Sequence, residues 1–386
     1  MSKSPLLEVV ITARPSWARV KSLVTNYSKL AGTSRVRVSL VGPAVSKRYG
    51  DITSQIDESL DVRTFSTLHE ADDFAGVALT CLEGASSLVH YWTHSRPECV
   101  LVIADRTETL GVAVAASLMQ IPLIHLQGGE ITGSIDDKIR DANTKLADLH
   151  LTTNDFTRSR IISMGEEESR VFSVGCPSID LVSETINTSE NLIDFENSSA
   201  EAIGGTGAAF PLSEDYGIIM FHPDTTKQDE SLGWVKELIK LAESNLLNWF
   251  WFWPNPDHGS HAISKQIRLL RESSSSERIR FVINVEPEIF ISLASNAKLI
   301  VGNSSFGIRE ASFLGLPAIN LGSRQSGRQR ASNVSDLVME GDLTQLTVET
   351  LQNSRPVESH LYGDGNAGYH GAKAISEWDP TIKSRI

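Results

Sequence analysis

The chain has 386 residues, enough for two domains that each bury a core of their own, and its 40% hydrophobic and 22% charged content is that of an ordinary soluble globular protein. A net charge of −13 without a long basic run argues against nucleic acid as the main partner. Three scattered cysteines without a CxxC indicate neither a disulfide framework nor a zinc site, and no apolar run approaches the roughly 20 residues that span a bilayer.

Taken in order, the chain alternates strands and helices. Leu6 to Thr12 is a buried-type strand, and its apolar run is too short for a secretory leader, so a cytoplasmic protein is expected. A turn at Ala13 to Trp17 leads into an amphipathic helix from Ala18 to Leu30 and a second strand from Val36 to Val41. A long helix covers Asp72 to Leu88. Cys99 to Ala104 is a strand ending at Asp105, with a helix from Leu110 to Met119 behind it. Pro122 to Leu126 is a strand, Gln127 to Asp137 a polar loop, and Lys138 to Ala147 a helix. Short strands follow at His150 to Thr153 and Val171 to Val174. Such alternation predicts a parallel, doubly wound sheet, whose ligands sit beyond the carboxyl ends of its strands. Arg14, Asp105, Gln127 and Glu130 all fall at such ends.

Between Asp180 and Ser213 the composition turns to Ser, Glu, Asn and Gly, which reads as an interdomain connection with room for one short helix. Its GGTGAA has no strand before it and no third motif glycine, so it is not read as a dinucleotide loop. The alternation then restarts with strands at Tyr216 to Phe221, Trp249 to Trp253, Ile279 to Val282 and Lys298 to Val301. Helices at Glu230 to Ala242, His258 to Leu270 and Glu288 to Asn296 separate them. The expected fold class is α/β, with two Rossmann-like doubly wound domains facing across a cleft. The expected division is residues 1–185, a linker at 186–212, a second domain at 213–365 and a C-terminal helix at 366–386.

The stretch from Val301 to Arg330 carries most of the chemical signal. A strand gives way to Gly302, Asn303, Ser304 and Ser305, then to a helix from Phe306 to Leu314 and a strand from Ala318 to Leu321. Hydroxyl residues at a strand-to-helix turn suit a phosphate, through free N–H groups and the helix dipole. Glu310, one turn in, suits ribose hydroxyls, and Arg324, Arg328 and Arg330 suit a diphosphate. The plainer reading of Ser304 is a helix cap.

A second concentration lies in HLQGGEITGSIDDKIRDANTK, from His125 to Lys145. Asp136 and Arg140 share a helix face if the helix begins near Asp136, and Asp137 reads as a salt-bridge mate or dipole partner. Asp105, Glu130 and Asp136 are candidate acid and base groups at one end of the sheet, and Asp105, followed by Arg106, reads equally as a surface ion pair or a helix cap. Arg140 is read as a substrate contact, and His125 as a substrate contact or a satisfied core histidine. His222 in FHPDTT ends the first strand of the second domain and is placed to reach the cleft. Asn255, with Trp253 and Pro254, either lines the nucleotide pocket or shapes a turn. No Walker A, HExxH, GxSxG or kinase signature occurs, so no metal, cofactor or covalent nucleophile is inferred.

Together these stretches resemble the hydrolysing UDP-N-acetylglucosamine 2-epimerases of sialic acid synthesis. The resemblance rests on IADR, HLQGGEITGSIDDKIRDANTKLA, GCPSID, FHPDTT, VGNSSFGIREASFLGLPAINLGSRQSGR and LYGDGNA, spread in order over nearly the whole chain. It implies a GT-B type fold with the C-terminal helix packed back on the first domain. It also implies conversion of UDP-N-acetylglucosamine and water into N-acetylmannosamine and UDP, through C2 deprotonation, UDP elimination and glycal hydration. By position Asp105 and Asp136 match catalytic carboxylates, and His222 a histidine near the diphosphate. Ser304 and Ser305 match the phosphate-binding pair, Glu310 the ribose-binding acid, and Arg14 and Arg324 nucleotide-contacting arginines. The implied partner is a UDP-sugar, and the implied assembly a homo-oligomer, dimer or tetramer.

Two departures stand out. The better-known members read HIEGGE where this chain has Gln127, and Gln hydrogen-bonds without exchanging protons. ARPSW replaces the usual NRADY and loses an acid at Ser16. Either Glu130 takes over the proton role, or Asp105 and Asp136 suffice, or the sugar is a UDP- or GDP-linked diacetamido-trideoxyhexose. A GT-B glycosyltransferase, a non-hydrolysing epimerase and a nucleotide-sugar sensor without turnover are the competing readings.

Overall fold

The computed structural model describes residues 4–46, 52–69, 74–132, 135–188, 192–223, 228–254, 260–273, 277–283 and 285–383. The chain divides into two compact units. The first comprises Met1–Glu130, Ile135–Asp180 and Tyr362–Ile386, and the second Ile131–Ser134 and Leu181–Leu361.

The first unit is built on seven parallel strands. In chain order they are β1 (Leu7–Ile11), β2 (Val36–Leu40), β3 (Asp61–Thr64), β4 (Cys99–Ile103), β5 (Leu123–Leu126), β6 (Leu149–Thr152) and β7 (Val171–Ser173). Their order across the sheet is β3-β2-β1-β4-β5-β6-β7, the strand exchange of a doubly wound fold. The runs LEVVI and CVLVI are buried throughout, because helices cover both faces, and the one acid in them, Glu8, accepts from Arg37 at 3.1 Å, Ser39 at 2.7 Å and Trp92 at 2.9 Å. Those helices are α1 (Arg14–Ala18), α2 (Lys21–Ala31), α3 (Phe74–His94), α4 (Thr107–Leu118), α5 (Ile135–Leu146) and α6 (Asp155–Ser163), while α7 (Pro177–Asn187) begins in this unit and continues into the second from Leu181. On α3 the buried residues Gly76, Thr80, Gly84, Leu88 and Trp92 recur every four positions and form one stripe.

The second unit repeats the plan. Its strands are β8 (Thr206–Gly207), β9 (Tyr216–Met220), β10 (Asn248–Phe252), β11 (Ile279–Val282), β12 (Ile300–Gly302), β13 (Ala318–Leu321) and β14 (Val334–Leu337). They are ordered β14-β13-β12-β9-β10-β11-β8, with only β8 antiparallel to its neighbour. The accompanying helices are α8 (Gln228–Glu243), α9 (Ser260–Arg271), α10 (Pro287–Asn296), α11 (Ser305–Ile308), α12 (Glu310–Phe313) and α13 (Leu343–Gln352). The last helix, α14 (Ala367–Glu377), packs on α2 of the first unit. Asp180 caps it, accepting from the N–H groups of Ala367 at 2.8 Å and Gly368 at 2.7 Å, which accounts for an acid 187 residues upstream.

Three expectations need correcting. Residues 186–212 are more than a connection with one short helix: they carry the end of α7, a 3₁₀ turn at Ala200–Ile203 and strand β8. There Arg280 gathers the carbonyls of Gly204, Gly205 and Gly207 at 2.8 to 3.1 Å, so the glycine-rich segment is a sheet edge. The helix expected from Phe306 to Leu314 is two short helices broken at Arg309. Finally, α1 stands where a turn was expected, and α6, α13, β3, β8 and β14 were not anticipated. Among the described residues no helix is long and apolar enough to cross a membrane.

Candidate functional site

Four non-glycine residues among those described have a positive φ, and two of them end neighbouring strands: Ala104 after β4, at 57°, and Gln127 after β5, at 65°. Both stay tied to the next strand. Ala104 N donates to Leu126 O at 2.8 Å and Gln127 N to Leu151 O at 2.8 Å. The backbone therefore turns sharply at the carboxyl ends of two central strands. Strained residues of this kind gather at functional sites.

Asp105 follows the first of these turns. Its carboxylate bonds the guanidinium of Arg140 on α5. The same guanidinium donates to Asp137 Oδ1 at 2.5 Å and to the backbone carbonyl of Glu130 at 2.8 Å. The Arg140 side chain is 1% exposed, while those of Asp105 and Asp137 remain 20% and 21% exposed. One buried cation thus anchors two carboxylates that stay open to solvent. Arg106, the sequence neighbour, turns instead to Glu108 at 3.2 Å. Asp136 lies exposed in the first turn of α5, and Glu130 is buried.

The buried face of α5 is polar. Arg140, Asn143 and Thr144, spaced i, i+3 and i+4, point inward, whereas Ile139 and Leu146 are only half-buried. Asn143 and Thr144 were missed in the sequence; their spacing from Arg140 was the available signal. This arrangement corrects the two expected sugar contacts. His125 is fully buried and both ring nitrogens are engaged, Nε2 with Ala104 O at 2.9 Å and Nδ1 with Thr144 Oγ1 at 3.1 Å. Burial lowers its pKa to about 4, so the ring is neutral. Arg140 is spent on the carboxylates. Gln127 is also buried, and its amide Nε2 donates to Cys176 Sγ at 3.2 Å. Arg14 opens α1 half-buried, directly after β1.

In the second unit the strand ends carry a different set. Gly302 follows at φ 148°, where a Cβ would collide with the carbonyl of Met220. That close approach lets Asn303 bridge to β9: its Oδ1 accepts from His222 N at 2.8 Å and its Nδ2 donates to His222 O at 2.8 Å. His222 is buried and held neutral, its pKa pushed down to about 3 by burial and then by the charge of Arg324. Ser304 caps α11, accepting from Phe306 N at 3.3 Å. Ser305 accepts from Arg309 at 3.2 Å. Glu310 is buried, with Arg309 Nε 3.8 Å away and Oε2 without a hydrogen-bond partner among the described residues. Asn303 and Arg309 had not been singled out.

The arginine cluster divides. Arg324 lies beside His222, as its charge on that ring records. Arg328 turns to Gln325, and Arg330 pairs with Asp336 at 2.9 Å and with the carbonyl of Gln325 at 2.7 Å. Arg328 and Arg330 therefore brace the loop rather than present forks to a diphosphate. Asn255 lies outside the described residues.

Comparison with known proteins adds four findings. The family model described as UDP-N-acetylglucosamine 2-epimerase matches residues 28–376. The hydrolysing UDP-N,N'-diacetylbacillosamine 2-epimerase of Legionella pneumophila is 31% identical over 271 residues, 70% of this chain and 68% of that protein. The hydrolysing GDP/UDP-N,N'-diacetylbacillosamine 2-epimerase of Campylobacter jejuni is 28% identical over 342 residues, 87% of this chain and 85% of that protein. Among solved structures, UDP-GlcNAc 2-epimerase from Neisseria meningitidis bound to UDP-GlcNAc superposes with a TM-score of 0.78 at 17% identity, over 96% of this chain and 99% of that one, which is a likeness of fold.

Proposed function

Because this chain belongs to the UDP-N-acetylglucosamine 2-epimerase family, we propose that it is a hydrolysing 2-epimerase converting UDP-N-acetylglucosamine and water into N-acetylmannosamine and UDP, as a supply for sialic or nonulosonic acid synthesis. The observation that carries the reading is the Asp105–Arg140–Asp137 cluster, an anchored but accessible carboxylate beyond β4. Asp136, exposed on the same helix, and Glu130 supply the further acid and base groups. One carboxylate takes the C2 proton, the C1–O bond breaks, and UDP leaves with its electron pair. Water then adds across the C1–C2 double bond of the glycal, its hydroxyl to C1 and a proton to C2 on the inverted face. Gln127, which cannot exchange a proton, acts as a hydrogen-bonding group only.

In this reading Ser304 and Ser305 meet a phosphate, Arg324 offsets its charge, and Glu310 receives ribose hydroxyls through its unpartnered oxygen. His222, neutral, contributes an N–H donor to the diphosphate rather than a charge. Arg14 supplies a second cation to the nucleotide.

A second reading keeps the reaction and changes the sugar. The relatives from Legionella and Campylobacter are both described as hydrolysing epimerases of diacetylbacillosamine nucleotides, which supports a UDP- or GDP-linked diacetamido-trideoxyhexose. The purified protein incubated with UDP-N-acetylglucosamine in D2O and followed by proton NMR tests both. Free N-acetylmannosamine deuterated at C2, rising with UDP, is the expected result. UDP-linked N-acetylmannosamine as the product would overturn hydrolysis. Turnover of the diacetamido nucleotide alone would establish the second reading.

A further inference from the structure

We propose that Asn143 and His125 are positioning residues for Asp105, clamping the carbonyl of Ala104 and so holding the left-handed turn that aims the carboxylate. The proposal rests on the reading of Asp105 as a catalytic group. An alanine at φ 57° sets its Cβ against the following carbonyl oxygen, a conformation that persists only where its surroundings enforce it. Here two buried donors converge on one oxygen. His125 Nε2 lies 2.9 Å and Asn143 Nδ2 3.3 Å from Ala104 O.

The rest of the neighbourhood fixes those donors. Thr144 Oγ1, 3.1 Å from His125 Nδ1, gives its proton to that nitrogen, so the Nε2–H tautomer faces Ala104. Gly128 leaves no slack: a Cβ there would stand 2.8 Å from His125 Nδ1 and 3.0 Å from Thr144 Oγ1. Asn143 Nδ2 also donates to Thr109 Oγ1 at 2.8 Å, and Thr109 Oγ1 donates to Arg106 O at 2.5 Å. One amide therefore grips the backbone on both sides of Asp105. Arg140, one turn earlier on the same helix face, holds the Asp105 carboxylate itself. Backbone, flank and side chain of Asp105 are all set by a single helix and its partner histidine. Such over-determination is what a proton-transfer group needs, since a displacement of about 1 Å can lower a rate on the order of 100-fold.

The test is a set of variants read in kcat, KM and UDP affinity on UDP-N-acetylglucosamine. Asn143→Leu should lower kcat roughly 10- to 100-fold, with KM and the Kd for UDP changed by less than about twofold. His125→Leu should act in the same direction, and His125→Gln, which retains an N–H donor, should recover part of the loss. In an Ala104→Gly background the loss caused by Asn143→Leu should shrink, because glycine takes the left-handed turn without help. Thr109→Val gives the same prediction at smaller scale should Asn143→Leu fail to fold. An effect on KM instead of kcat, or losses that are simply additive with Ala104→Gly, would overturn the clamp. If the wild-type protein turns over no UDP-N-acetylhexosamine, the functional reading falls. The cycle is then read in Tm, where equal losses from Asn143→Leu in both backgrounds would refute the clamp on its own.

Discussion

The two units treat their candidate carboxylates differently. Beyond β4 and β5 the accessible carboxylates are tied down by the protein: Arg140 spans Asp105, Asp137 and a carbonyl, and His125 beside them uses both nitrogens, although Asn143 Oδ1 is buried without a hydrogen-bond partner among the described residues. Beyond β12 bonding capacity is left over, since Glu310 keeps one buried oxygen without a hydrogen-bond partner among the described residues. Groups that move a proton gain from being fixed, because rate falls steeply with misplacement. Groups that hold a diphosphate and a ribose gain from keeping hydrogen-bonding capacity for the ligand. The contrast is between an acid anchored by an arginine, Asp105, and an acid with an oxygen to spare, Glu310, and each suits the job proposed for it.

The sharpest way to break that contrast is Asp105→Asn. It should lower kcat on the order of 10²- to 10⁴-fold, the range of general acid–base catalysis, while UDP still binds in isothermal titration. A change confined to UDP affinity would make Asp105 a binding group. Next in size is Arg140→Met. Removing the cation leaves two partly exposed carboxylates and a backbone carbonyl without their donor, and chemical denaturation should show a loss of about 2–3 kcal/mol. A loss below about 1 kcal/mol would mean that the cluster is loosely held.

Acid should act next, and mostly through the buried imidazoles. His125 and His222 ordinarily titrate near 6.5, and burial holds them at about 4 and about 3. A depressed pKa contributes stability present above pH 6.5 and lost as pH falls towards those values. From His125 alone the loss at pH 5 is about 2 kcal/mol, so denaturant midpoints should fall steadily from pH 7 to pH 4.5. Stability that rises on acidification would contradict a neutral, buried His125.

The remaining two changes address the second unit. Glu310→Gln should weaken UDP binding roughly tenfold, as loss of hydrogen bonds to a charged acceptor does, and leave kcat at saturation almost intact. A collapse of kcat would move Glu310 from binding to chemistry. Arg330→Gln should be the mildest, under about 1 kcal/mol in stability, because its pair with Asp336 is partly exposed. UDP affinity should change less than about threefold; a larger drop would return Arg330 to the diphosphate.

Much of this was legible in the chain. CVLVI followed by Asp105, and VGNSS followed by Glu310, announce strand ends with polar residues beyond them. The alternation of β-rich runs and amphipathic helices gave both doubly wound units. What escaped was whatever depends on a partner far away in sequence. On α5 the inward face is Arg140, Asn143 and Thr144, which a periodicity argument assigns to solvent. His125 looked like a ligand contact because its partners, Ala104 O and Thr144, lie 21 and 19 residues away. Arg328 and Arg330 looked like anion forks because Gln325 and Asp336 were not known to face them.

Sequence alone therefore determined the elements that local chemistry specifies: the buried parallel strands, the helix cap at Ser304 and the small, polar turns after each strand. It also determined the family, since ordered motifs over most of the chain survive without coordinates. Only the tertiary structure decided which polar residues face inward and which carbonyls they satisfy. The physical reason is that a buried donor must find an acceptor, and across a folded sheet that acceptor is fixed by strand order and register, not by neighbours along the chain.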